Sequence, residues 1–291
     1  MNPVSTTNRS AFTGVALMVI VAATSAIDAV IVRAVSPDVH PFVIGFTRSL
    51  FGLLIVLPLI WIRPSVLRSN YSIRHVVRAT LKLASLVAFF AAFARAPLAD
   101  VTAIAFTAPI FVTIGAWVFL SEQPRKIRII AAIIGFFGVL LVLKPGQNST
   151  LPVGLLFALL GSFLAAVIQL LLKPMVGRDS AQTLVVWNLA VTAPIAAIPA
   201  FFFWSMPTAE QWFLLTVQGV LGAISMALVT YAFSLAEASL LAPIEFLRLP
   251  LVAVLAYLIF GQTVDWNSWA GAAVIFSATL IMASSARYPR T

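Results

Sequence analysis

Runs of about 18 to 24 mostly apolar residues, the length a helix needs to cross a hydrocarbon layer, recur from one end of this chain to the other. They fall at roughly 12–34, 42–62, 77–96, 98–120, 128–144, 152–173, 183–204, 210–233, 238–260 and 267–286. Long unbroken apolar runs lack the in-out alternation of a barrel strand, so the sequence predicts an all-α integral membrane protein with ten transmembrane helices and short loops. A composition of 62% hydrophobic and 9% charged residues closes off the soluble classes. The net charge of +9 would suggest nucleic acid in a soluble domain. Here the basic residues sit in loops against the bilayer, so no nucleic-acid partner is expected. The first run follows MNPVSTTNRS with no cleavage site and is taken as a span.

Lysine and arginine orient the spans. With a cytoplasmic N-terminus, the inner face holds Arg9, Arg63, Arg68, Arg74, Arg78, Arg125, Lys126, Arg128, Lys173, Arg178, Arg287 and Arg290. The outer face holds Arg33, Arg95 and Lys144. That asymmetry predicts both termini inside; the expected location is an inner membrane of bacterial type.

The chain also repeats itself at a constant offset of 140 residues. Gly14 meets Gly154, Arg33 meets Lys173, Ser85 meets Ser225, and Ala92-Phe93 meets Ala232-Phe233. Phe106 meets Phe246, Ala116-Trp117 meets Ala256-Tyr257, and Ala132, Phe136 and Leu140 meet Ala272, Phe276 and Leu280. The repeats divide the chain into residues 1–147 and 148–291. Each half has an odd number of helices, five, so the second enters from the opposite side. Two inverted repeats are an architecture of alternating-access transporters.

The segments ARAPLADVTAIAFTAPIFVTIGAWVFLSEQ (94–123) and LAEASLLAPIEFLRLPLVAVLAYLIFGQ (235–262) each carry a small-residue helix end, a proline-containing helix and a polar terminal pair. With ten spans in two five-helix repeats, they resemble the drug/metabolite transporter superfamily, and within it proteins with two EamA domains. The resemblance covers essentially the whole chain. The second half departs from the pattern, since Gly261-Gln262 stands where the first half has Ser121-Glu122. The resemblance implies a central cavity lined by the first four helices of each half, with the fifth and tenth outside it. It implies a secondary transporter of a small organic metabolite, with amino acids, riboflavin and S-adenosylmethionine as candidate substrates. The alternative is a lipid or lipid-linked-sugar flippase of the same fold.

Charges inside the runs mark the candidate site. A charge at mid-bilayer costs roughly 2.5–3.5 kcal/mol on insertion scales, so it faces protein or water and seeks a partner. Such residues are Asp28, Arg48, Lys82, Glu245 and Arg248, none of them in the fifth or tenth span. Asp28 and Arg48 lie at similar depth in neighbouring antiparallel helices and are candidates to pair. Glu245 and Arg248, three apart on one helix face, either form a static ion pair or meet the substrate. Lys82 either snorkels to the inner interface or binds ligand. Asn188 is the repeat counterpart of Arg48. Phe106, Phe246 and Tyr231 are aromatic candidates for stacking on a flat substrate, with core packing as the other reading. A buried carboxyl can also carry a proton, which leaves proton coupling through Glu245 or Asp28 open.

Pro109 and Pro250 occupy nearly equivalent repeat positions and predict bends that free backbone carbonyls. Trp204, Trp212, Trp266 and Trp269 stand near span ends, where indole rings anchor at the interface. The two histidines, His40 and His75, are in or near loops, and no HExxH, GxSxG, paired-aspartate or P-loop motif occurs. The sequence therefore predicts no enzyme, no cofactor and no bound metal. Its expected partners are a small-molecule substrate and the lipid bilayer.

Overall fold

Apolar sequence of this length has one economical way to satisfy its backbone in lipid, which is to close every hydrogen bond within a helix. The computed structural model describes residues 3–69, 71–120, 126–143, 152–172, 179–235 and 241–284. The first half contains α1 (Pro3–Val35), α2 (Pro41–Ile62), α3 (Ser72–Arg95), α4 (Leu98–Ala105), α5 (Ala108–Leu120) and α6 (Lys126–Leu143). The second contains α7 (Val153–Leu172), α8 (Ala181–Phe202), α9 (Ala209–Leu235), α10 (Arg248–Phe260) and α11 (Trp266–Ser284). Short 3-10 segments cover Pro64–Leu67 and Ala242–Leu247. Among the described residues, seven stretches are long and apolar enough to cross a membrane, and Ile129–Leu143 and Arg248–Phe260 are shorter apolar helices. The molecule is an all-helical, multi-pass membrane protein.

Two of the expected spans are interrupted. The fourth breaks between α4 and α5 at Phe106 and Thr107, and the Thr107 hydroxyl donates to the Ile104 carbonyl at 2.7 Å. In the ninth, Ala242–Leu247 is a 3-10 segment, and α10 begins at Arg248. Pro109 and Pro250 therefore sit in the first turns of α5 and α10, where a missing N–H costs no helical bond. The breaks lie just before the prolines and not at them. Pro58, Pro194 and Pro199 remain inside continuous helices.

Contacts between halves follow the repeat. α1 packs on α9, and their repeat counterparts α7 and α3 pack together; α2 packs on α9 and α3 on α8; α1 meets α10 and α5 meets α7. The self-related pairs α2 with α8 and α6 with α11 also touch. Side chains follow the same exchange: the Ser225 and Thr24 hydroxyls lie 2.7 Å apart on the α1–α9 seam. On the α3–α7 seam, the repeat-equivalent Ser85 donates to the Gly161 carbonyl at 2.8 Å. The main apolar core draws on both halves, from Ala26, Val32 and Ile44 to Leu215, Val252 and Ile275.

Two polar clusters close the ends of the bundle. At one end, Asp179 Oδ2 accepts from Ser69 Oγ at 2.7 Å and lies 2.8 Å from His75 Nε2. His75 is fully buried and stacks on Trp187, whose indole N–H donates to the Leu67 carbonyl at 3.1 Å. At the other end, Gln211 Nε2 donates to Asp38 Oδ2 at 3.0 Å, and His40 stacks on Phe203 with ring centroids 4.3 Å apart. Arg33 donates to the Phe93 and Ala94 carbonyls at 2.8 and 2.7 Å, capping the end of α3. Gln262, the residue that departs from the first half's pattern, accepts the Leu98 N–H at 3.1 Å through Oε1. It satisfies an orphan donor at the start of α4 from the opposite half. Glu122 lies outside the described residues.

Candidate functional site

A cavity of about 370 Å³ opens where α1, α2, α3, α4, α7 and α10 converge, within the range of small-molecule sites. Its walls include Asp28, Arg48, Lys82 and Arg248, together with Ser85, Gln169, Leu86, Phe89 and Ile168. Neither α6 nor α11 lines it. Four of the five intramembrane charges thus come together from four separate elements across both halves.

Asp28 and Arg48 form an ion pair, in agreement with their matched depths, and their side chains stay 14% and 23% accessible. Arg48 lies along α9 at a glycine. A Cβ on Gly222 would fall 2.9 Å from the Arg48 Nη2 and 3.0 Å from its Cζ. At the repeat offset Gly222 is the counterpart of Lys82, so the second half leaves empty the place where the first half puts a cation.

Lys82 is accessible to water-sized probes along the cavity wall. It forms no ion pair or hydrogen bond among the described residues, and its strongest charged neighbours are Arg48 and Arg78. It lines the cavity. The Arg248 Nε is buried with no hydrogen-bond partner among the described residues.

The sequence grouped Glu245 with Arg248, and the structure separates them. Among the described residues the ion pairs are Arg48–Asp28 and His75–Asp179. Glu245 sits in the 3-10 segment, exposed and outside the cavity wall, while Arg248 opens α10 and turns into the cavity. Asp28 is a stronger electrostatic partner of Arg248 than Glu245 is. No ion pair joins the two among the described residues, and the junction of the 3-10 segment with α10 falls between them.

The remaining candidates lie elsewhere. Asn188 is buried within α8 and is not part of the cavity wall. Tyr231 is 56% exposed and borders a separate apolar groove of about 450 Å³ with Ile55, Leu59 and Met226. Phe106 ends α4 and packs against the main core. The Phe246 side chain lies outside the described residues. Sequence reading missed Ser85, Gln169 and Gly222. Gln169 carried a signal, an amide inside an apolar run, whereas a serine and a glycine in a membrane helix carry none.

The EamA-like transporter family model matches residues 12–144 and again 152–284. The chain belongs to the EamA-like transporter family. The S-adenosylmethionine uptake transporter of Rickettsia bellii is 29% identical over 244 residues, 84% of each chain. The riboflavin transporter of Rhizobium johnstonii is 31% identical over 226 residues, 75% of this chain and 72% of its own. The pseudopaline exporter CntI of Pseudomonas aeruginosa is 28% identical over 273 residues, 92% of this chain and 95% of its own. A solved crystal structure with 16% identity superposes with a TM-score of 0.63, covering 98% of this chain and 99% of its own, and shares the fold. Both the family and these relatives are transporters, and this EamA protein is a small-metabolite transporter.

Proposed function

We propose that this EamA protein is an inner-membrane secondary transporter whose ten spans form two inverted five-helix repeats. In this reading the charged cavity binds one small organic metabolite and is exposed to each side in turn. One observation carries it: Asp28, Arg48, Lys82 and Arg248 converge in a water-accessible space between the halves. Charges in a bilayer are expensive, and a water-filled substrate route is where they are retained. The repeat-exchanged helix contacts support the inverted two-fold, and interrupted fourth and ninth spans fit a discontinuous-helix binding site. The excess of basic residues in the inner loops supports cytoplasmic termini.

The relatives supply substrates to test, S-adenosylmethionine and riboflavin, to which the sequence adds amino acids. A thermal-shift series on detergent-purified protein with these three classes and a lipid-linked sugar tests the reading. A ligand that binds only the folded state stabilises it by about 2.7 kcal/mol at one hundred times its dissociation constant. The expected result is a dose-dependent rise with a soluble metabolite that disappears in Arg248→Ala. A rise with the lipid-linked compound alone would instead support the flippase.

A further inference from the structure

Three cations and one carboxylate face the cavity, and only one cation is spoken for. Arg48 is paired with Asp28. Lys82 has no ion-pair or hydrogen-bond partner among the described residues, and the Arg248 Nε is buried without one. Glu245 lies within electrostatic reach of Arg248, yet counting it still leaves the balance positive. Cations gathered in one cavity without matching carboxylates repel one another, and an anion drawn among them relieves that repulsion. The rest of the wall is neutral or apolar, with Ser85 and Gln169 as hydrogen-bonding groups and Leu86, Phe89 and Ile168 as an oily side.

From this imbalance, and resting on the reading of the cavity as the substrate site, we propose that the transported molecule is an organic anion. Its carboxylate or phosphate is met by Lys82 and Arg248, and its apolar body lies against Leu86, Phe89 and Ile168. Asp28 stays with Arg48 and keeps that guanidinium from being the anion's main partner. The charge balance bears on the substrates of the relatives. Riboflavin is uncharged and leaves both free cations uncompensated. S-adenosylmethionine, with a sulfonium and an ammonium against one carboxylate, brings net positive charge into a positive cavity. An anion such as a phosphorylated or multiply carboxylated metabolite satisfies both Lys82 and Arg248.

The chain contains no cysteine, so a single introduced thiol reports on one place. Gln169→Cys puts it on the cavity wall. Purified protein is reacted with two methanethiosulfonate reagents of similar size, one carrying a sulfonate and one a trimethylammonium, each normalised to a free thiol in solution. The proposal predicts that the anionic reagent reacts about tenfold faster than the cationic one, as charged clefts raise the local concentration of opposite charge. The preference falls toward unity when Lys82→Gln or Arg248→Gln is added, and Lys82→Arg keeps it. Size-exclusion profiles confirm that each variant is folded. Equal rates for the two reagents, or a preference unaffected by both neutral substitutions, overturn the anion proposal while leaving an aqueous carrier cavity in place. A thiol that reacts with neither reagent overturns the carrier reading as well.

Discussion

Arg48 is held at its post by two neighbours of opposite kinds, a carboxylate that pairs with it and a glycine that makes room for it. Replacing Gly222 with alanine suits the helix, by roughly 1 kcal/mol of intrinsic propensity. Its new methyl nevertheless lands 2.9 Å from the Arg48 guanidinium, so the arginine must move and its bond to Asp28 must deform. Gly222→Ala is expected to remain folded while losing about tenfold in apparent substrate affinity, near 1.4 kcal/mol. Transport in proteoliposomes measures this, and an unchanged KM would show that the place of Arg48 does not matter. His40 gives a second test at this scale. Its Nδ1 accepts the Phe42 N–H at 3.3 Å, which requires an unprotonated nitrogen. Burial first, and the nearby Arg95 second, lower its pKa below the ordinary 6.5. The folded state thus binds fewer protons than the unfolded chain. The contribution of His40 is complete above about pH 6.5 and is lost as pH falls from there through the lowered value. The melting temperature of the parent protein should therefore fall more between about pH 7.5 and pH 5 than that of His40→Asn, which keeps a cap without titrating. Identical pH profiles would remove His40 from the account.

At the scale of elements, no described residue of α6 or α11 lines the charged cavity. α6 and α11 cross at Gly138 and Gly271, where a Cβ on either glycine would meet the partner's carbonyl at 2.9 or 2.7 Å. Small residues that let backbones approach this closely are how membrane helices gain packing energy without a hydrophobic driving force. Gly138→Leu should destabilise the protein by about 1–3 kcal/mol through overpacking, whereas Phe137→Leu, on the exposed side of the same helix, should be near neutral. Thermal denaturation in detergent distinguishes the two. The same scale shows what was legible in the sequence. Helix positions were, because apolar runs report on lipid directly. The interruption of the ninth span was not, because a 3-10 segment and an α-helix have the same composition. That junction falls between Glu245 and Arg248. The charges in the cavity stood out against apolar sequence, as did the depth match of Asp28 with Arg48. Ser85 and Gly222 did not, since hydroxyl and glycine in a membrane helix serve packing as readily as binding. Tyr231 and Phe106 were chosen for ring chemistry alone, and ring chemistry does not say which way a helix face turns.

Over the whole molecule, the constant offset of 140 residues becomes a pattern of exchanged contacts, with the charged cavity where the halves meet. The halves agree in their scaffold and differ in their cavity chemistry: Arg48 against Asn188, Lys82 against Gly222, Asp28 against Ile168. In the proposed cycle, shared packing would supply two conformations of equal kind, and unshared charges would give the substrate an orientation within them. The central claim is that one cavity serves both sides of the membrane. Its direct test is the Gln169→Cys protein in sealed vesicles of known orientation, treated with a membrane-impermeant thiol reagent from one side and then, separately, from the other. The account predicts labelling from both sides, with substrate slowing each. Labelling from a single side only, whatever the substrate, would mark a fixed crevice and contradict it.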